Sequence, residues 1–325
     1  MPLLRKDLDS HWVSAQLCAF FGVLTFLCPP YQAAEPSPQF PRGNCRIAAP
    51  LLDSEIEIRT TERLAGAIDS LVWRGKEFIN STDHGRQLQS ASNLDWGGPM
   101  IAETFNPTEA GSVADGAGER SSSRLLFHNW SANRLETVTQ MAFWLPPGGN
   151  SLGNPARNTT LLSQHLLSKQ VQIGLPNLPQ SISYQVQFSL PVSETHRFAQ
   201  FEALTGYMPP EFTVFEIFDP GQNQVRQLSD GPGEQPFPIL FSTTDGQFAM
   251  GCFGQAAPVD NLVSGPTYGR FRFQQAQVVK WNIVYRYSHA EELPSGAYPF
   301  RMFVLVGTRD LVIQGLKMLS QSGKQ

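Results

Sequence analysis

From Ser181 to Leu190 the chain alternates without a break: Ile182, Tyr184, Val186, Phe188 and Leu190 fall on one side, and Ser183, Gln185, Gln187 and Ser189 on the other. A period of two marks a strand with one buried and one wet face, and such strands assemble into antiparallel sheets. The pattern recurs over Glu55 to Arg59. It recurs again where Val279, Trp281, Ile283, Tyr285 and Tyr287 are interleaved with Lys280, Asn282 and Arg286, Val284 being the one intruder. Strand-like runs also cover 66–73, 77–80, 137–145, 212–218, 238–242, 247–253, 270–273 and 300–307, and clusters of Gly, Pro, Asn and Asp separate many of them. Trp73-Arg74-Gly75-Lys76 has the form of a hairpin tip. Helical periodicity is clear only at the end, where Thr308 can cap a segment carrying Val312, Leu316 and Leu319 on one face. The expectation is an all-β protein: a large antiparallel β-sandwich with a short C-terminal helix, formed by residues 46–325 as a single domain after an N-terminal segment, 35–45.

Arg5 and Lys6 precede a stretch without charge from Ser10 to Ala34, whose apolar centre, Leu17 to Cys28, is short for a membrane span. Residues 1–34 therefore read as a signal peptide, which predicts a secreted or periplasmic protein with no membrane span in the mature chain. Of the four cysteines only Cys45 and Cys252 would remain, either joined in a disulfide or as two separate buried thiols. Lys and Arg number 24 against 28 Asp and Glu, a net charge of −4, and this makes nucleic acid an unfavourable partner. An aromatic content of 11 % suits neutral, ring-shaped ligands better.

Two polar stretches, 81–123 and 146–163, break the strand pattern and read as long loops. Long polar loops on compact domains tend to carry function. In the first, Asp83-His84-Gly85-Arg86-Gln87-Leu88-Gln89 presents a row of hydrogen-bonding groups. His84 is a candidate proton carrier there, and Arg86 is a fork for a carboxylate or sugar hydroxyls. Trp96 offers a face on which a pyranose ring can stack, and Asn106 and Glu109 lie in Phe105-Asn106-Pro107-Thr108-Glu109, where a partly dry carboxyl could serve as acid or base. Tyr207 and Glu211 flank a double proline, which places a phenol near a carboxylate. His196 reads as structural. No Gly-x-Ser-x-Gly elbow, phosphate loop, His-Glu-x-x-His or Cys-His zinc spacing occurs, so no cofactor and no metal are expected.

Ala65-Gly66-Ala67-Ile68-Asp69-Ser70-Leu71-Val72-Trp73-Arg74-Gly75-Lys76-Glu77-Phe78-Ile79, continued by Asp83 to Gln89, resembles the opening of galactose mutarotase-like proteins. The resemblance implies a β-supersandwich with a carbohydrate site on a sheet face, and it sets Arg86 at the position of a sugar-contacting arginine. The His-aromatic-Asn motif of the epimerases is absent, since His165 precedes Leu166-Leu167 and His196 precedes Arg197-Phe198. The expected function is therefore a carbohydrate-active protein that binds a saccharide and acts on it by acid/base chemistry as a lyase, hydrolase or epimerase. The alternative is a non-catalytic carbohydrate-binding module. The expected catalytic groups are His84, Glu109 and Tyr207, with Arg86, Trp96 and Asn106 binding the substrate.

Overall fold

Every strand pairing in the computed structural model, which describes residues 39–257 and 260–322, is antiparallel. One run of paired strands comprises Arg124–Ser131, Arg134–Phe143, Leu162–Leu175, Leu178–Leu190, Gly296–Gly307, Ala249–Gly254, Ile239–Ser242 and Val214–Asp219. A second comprises Cys45–Leu51, Ser54–Thr60, Ile68–Trp73, Leu88–Leu94, Phe198–Met208, Val278–Ser288 and Leu262–Phe273. The short strand Pro107–Thr108 pairs with Ala91 of the second run and Phe143 of the first, and so links the two. Phe40–Gln325 form one compact unit, and the expected export signal, 1–34, lies outside the described residues. No described helix is long and apolar enough to cross a membrane.

The two runs face each other through the apolar halves of their alternations. Phe188 meets Phe201 with ring centroids 4.9 Å apart, Tyr285 meets Phe300 at 4.5 Å, and Tyr287 meets Tyr298 at 5.2 Å. Fully burying a side chain of this size contributes about 1.5–3 kcal/mol, so these rows fix which face of each strand turns inward. The closing helix, Arg309–Ser322, covers the other face of the first sheet: Val312, Leu316 and Leu319 pack on Leu178, Leu240, Phe303 and Leu305. The Thr308 hydroxyl accepts the Leu311 N–H at 3.4 Å and starts it. The Trp73–Lys76 tip closes a tight hairpin, with Arg74 at φ 49° and Gly75 at φ 73°.

Two readings need correction. Residues 81–123 are not one loop, because Leu88–Leu94 within them is a central strand buried along its whole length. Three of its four polar side chains find partners inside the fold: the Ser90 hydroxyl donates to the Ala203 carbonyl at 2.8 Å, and Gln89 and Asn93 accept backbone N–H groups of Ala110 and Glu103, while the buried Ser92 hydroxyl has no partner among the described residues. Leu162–Leu175 begins inside the second expected loop and hides its period because its inward row includes Ser163, His165 and Lys169. Of the two states left open for the cysteines, the structure shows the separate thiols: Cys45 and Cys252 are free. They sit in different sheets, the Cys45 thiol beside the Thr60 hydroxyl at 3.1 Å, and Cys252 buried between Ile239 and Val304, where burial pushes its thiol up.

Candidate functional site

On Phe198–Met208 a β-bulge between Glu202 and Leu204 shifts the register against Val278–Ser288 by one residue. The consequence is a change of parity: Gln200 and Glu202 before the bulge and Thr205 and Tyr207 after it all turn to the face away from the core. Lys280, Asn282 and Arg286, the polar half of the second alternation, stand opposite them, with Tyr207 paired to Lys280, Thr205 to Asn282 and Gln200 to Arg286. Gly206 permits this arrangement, because a Cβ there would lie 2.5 Å from the indole of Trp281.

The groups on this face hold one another. Lys280 Nζ donates to Glu202 Oε2 at 3.1 Å, and the Thr205 hydroxyl donates to the same oxygen at 3.0 Å. Their side chains are 14 % and 16 % exposed for Lys280 and Glu202, dry enough to interact strongly and open enough to be reached. Burial works to raise the Glu202 carboxyl, but the Lys280 ammonium, the Asn282 amide and the Thr205 hydroxyl outweigh it and hold the group below its usual range. Burial likewise works against the Lys280 ammonium, and the facing Glu202 carboxylate holds it above its usual range. Burial raises the Tyr207 phenol, with Lys280 opposing that shift from 5.2 Å above the ring centre. Farther along, Arg286 donates to Gln200 at 2.8 Å and forms a forked pair with Glu234 at 2.6 and 2.8 Å.

Tyr207 also lines a cavity of about 270 Å³ with Asp83, His84, Arg86, Trp144, Phe273 and Val278. This is just below the roughly 300–1,000 Å³ of drug-sized ligand pockets and leaves room for about one sugar ring. Trp144 packs over Gly85, where a Cβ would meet the indole at 2.6 Å. Arg86 pairs with Asp83 at 3.0 Å and donates through Nη1 to the Ala276 carbonyl at 3.1 Å. Its Nη2 has no partner among the described residues and is available to a ligand.

Of the six residues expected from sequence, the structure thus brings His84, Arg86 and Tyr207 to one cavity. His84 is buried in its wall, with its ring nitrogens 2.8 and 2.9 Å from the carbonyls of Gly116 and Arg63. Asn106 stands behind the cavity: its carbonyl accepts the Trp144 N–H at 2.8 Å and its amide donates to the Ser92 carbonyl. Trp96 stacks on Phe105 at 5.2 Å, beside His196. Glu109 is fully enclosed, paired with the equally enclosed Lys169, and accepts the Ser90 N–H at 3.1 Å. Glu211 pairs with Lys76 at the surface. Glu202 and Lys280 escaped the sequence reading, which took the polar half of each alternation as a wet face; the bulge that gathers them leaves no mark in the hydrophobic pattern. A larger groove of about 560 Å³ crosses the outer face of the first sheet, lined by Phe127, Glu136, Gln170, Gln185, Gln187 and Arg301. It lacks a comparable cluster of interacting acid and base groups.

No family model and no curated protein matches the chain. Among solved structures it is similar to Slr1438 of Synechocystis sp. PCC 6803, at 8 % identity and a TM-score of 0.42 over 84 % of this chain and 99 % of that one. It is also similar to the GH36 α-galactosidase AgaB of Geobacillus stearothermophilus, at 7 % identity and a TM-score of 0.45 over 83 % of this chain and 41 % of that one. A third is YeaD of Salmonella typhimurium, provisionally assigned as a mutarotase, at 9 % identity and a TM-score of 0.34 over 81 % and 93 %. With TM-scores below 0.5 these likenesses carry no fold family, substrate or catalytic residue to this chain.

Proposed function

We propose that the protein binds a saccharide over the outer face of Phe198–Met208 and Val278–Ser288 and acts on it by acid/base chemistry, with Tyr207 carrying the proton. The observation that supports this most is the Glu202–Lys280–Tyr207 row running up to the cavity that holds Arg86. A phenol raised by burial is a proton donor at neutral pH, and the ammonium beside it stabilises the phenolate that remains once the proton has left. Arg86, with Nη2 free, fits a carboxylate such as that of a uronic acid, whose neutralisation makes the adjacent C–H more acidic; on this lyase route the C–H proton passes to solvent water, its electron pair forms the C=C bond as the glycosidic C–O bond breaks, and Tyr207 protonates the leaving oxygen. Glu202, held by several donors, is suited to accept hydrogen bonds from sugar hydroxyls rather than to take a proton. The same saturation favours the second reading, a binding module without turnover. Export to a secreted or periplasmic location, expected from residues 1–34, belongs to this proposal.

Incubation with a panel of neutral and uronic-acid polysaccharides separates the readings. New ultraviolet absorbance from unsaturated products supports the lyase, and new reducing ends without that absorbance support a hydrolase. Saturable binding without either supports the module. Absence of both binding and turnover across the panel would overturn the proposal.

A further inference from the structure

A second cluster of chemistry-bearing side chains lies elsewhere, where the chain crosses from one sheet to the other. Leu178–Leu190 ends in the first sheet, a turn over 191–197 follows, and Phe198–Met208 begins in the second. Glu194 and His196 sit in that turn, and His165 reaches them from Leu162–Leu175. His165 Nε2 lies 2.7 Å and His196 Nε2 3.1 Å from the same oxygen, Glu194 Oε2, and the candidate ligand atoms of the three residues all fall within 4.8 Å of one another.

Hydrogen-bond arithmetic makes His196 informative. Its Nδ1 is 2.6 Å from the Asp95 carbonyl, which can only accept, so Nδ1 carries a proton. In the neutral ring Nε2 then presents a bare lone pair towards a carboxylate oxygen, and two acceptors 3.1 Å apart need a cation between them, either a proton or a metal ion. A carbonyl behind Nδ1 is also the usual way a metal-binding imidazole is held with Nε2 forward. Both imidazoles are 2 % exposed. They are walled by Trp96, Phe105 and Phe143, which fixes the rings and keeps water from competing.

We propose that His165, Glu194 and His196 form a binding site for a divalent transition-metal ion, with zinc the best match to a donor set of two imidazole nitrogens and a carboxylate oxygen. At Zn–N and Zn–O distances of about 2.0–2.2 Å, neighbouring donors in a tetrahedron stand roughly 3.3 Å apart. The observed 2.7 and 3.1 Å need to open by about 0.6 and 0.2 Å to reach that edge, and the two imidazole nitrogens, within 4.8 Å of each other, need to settle at the same spacing. The fourth position is left to water on the side of Glu194, the one ligand with appreciable exposure, at 13 %. Thr195, between the two turn ligands, lines an open surface pocket with Asp95 and Arg197, which gives the ion a way in. Binding displaces to solvent the proton that otherwise bridges imidazole and carboxylate. The ion would staple the crossover turn to Leu162–Leu175 of the first sheet, so its effect is on the stability of the sandwich and not on the chemistry at Tyr207. Ligands 29 and 2 residues apart match no zinc spacing, which is why the sequence alone points to no metal here.

The test uses the chain without a polyhistidine tag, stripped with a chelator, dialysed against zinc and assayed by elemental mass spectrometry and thermal melting. The expected result is one zinc per chain and a melting temperature higher than that of the stripped protein. H165Q/H196Q should retain less than about a tenth of the zinc and lose the zinc-dependent rise in melting. Should that variant fail to fold, cobalt(II) titrated into the stripped wild type reads the same site, with a saturable visible absorption at one equivalent that zinc abolishes. Wild-type protein without stoichiometric zinc, a folded double variant that keeps the wild-type amount, or cobalt without such absorption would overturn the proposal.

Discussion

Glu109 and Lys169 are 0 % exposed and paired in the core, Lys169 also donating to the Gly66 carbonyl and lying 5.8 Å from the centre of the Tyr184 ring. Glu109→Gln keeps the shape and an acceptor for the Ser90 N–H but leaves the Lys169 ammonium buried without its counter-charge. Removing one member of a buried ion pair costs about 3–5 kcal/mol, chiefly the penalty of the charge left behind. For a domain of this size each kcal/mol lowers the melting temperature by about 2–4 °C, so the expected fall is roughly 6–20 °C. Glu109→Gln/Lys169→Met removes both charges and should recover much of that loss, giving a coupling well away from additivity. Circular dichroism melts and urea titrations of the wild type, both single variants and the double variant supply the four corners of the cycle. A Glu109→Gln protein within about 1 kcal/mol of the wild type, or a double variant worse than the sum of the singles, would refute the reasoning. Undiminished stability with lost turnover would instead make Glu109 a reacting group.

Gly206→Ala should destabilise by about 1–3 kcal/mol, since the added methyl enters the space of Trp281; a urea midpoint equal to the wild type would show that the bulge relaxes freely. Arg86→Ala should weaken saccharide binding at least tenfold by calorimetry, while costing no more than about 1 kcal/mol of stability for its partly exposed pair with Asp83. The Glu202 carboxyl is held low in the folded state, so the unfolded chain takes up its proton first. Its contribution is present above the ordinary glutamate value of about 4.3 and is lost as pH falls below it. Urea titrations at stepped pH should therefore show a shallower acid loss of stability in Glu202→Gln than in the wild type, and parallel curves would count against the Lys280–Glu202 pairing.

The fold was legible where one face of a strand is apolar and the other polar. Ser181 to Leu190 and Val279 to Tyr287 each disclose their inward rows, and Thr308 with Val312, Leu316 and Leu319 disclose the helix. Leu88–Leu94 was hidden because its inward groups are Ser, Gln and Asn, whose burial is made tolerable by backbone partners that come from Ala203, Glu103 and Ala110, far away in sequence. The site divides in the same way. His84, Arg86 and Tyr207 could be named from residue type and position, because a polar row after a hairpin and a phenol beside prolines are local features. Glu202 and Lys280 could not, since their meeting depends on one extra residue in a strand, and hydrophobic periodicity does not record on which side of a bulge a polar group emerges.

The proton-carrying role of Tyr207 is tested most directly by Tyr207→Phe, which removes one oxygen and leaves the ring beneath Lys280 in place. On the saccharide that the wild type processes, this variant should bind within a few-fold of the wild type by calorimetry, melt at nearly the same temperature and lose at least 100-fold in kcat, in line with the contribution of a positioned acid or base. A Tyr207→Phe protein that turns over at the wild-type rate would contradict the account, however well it binds.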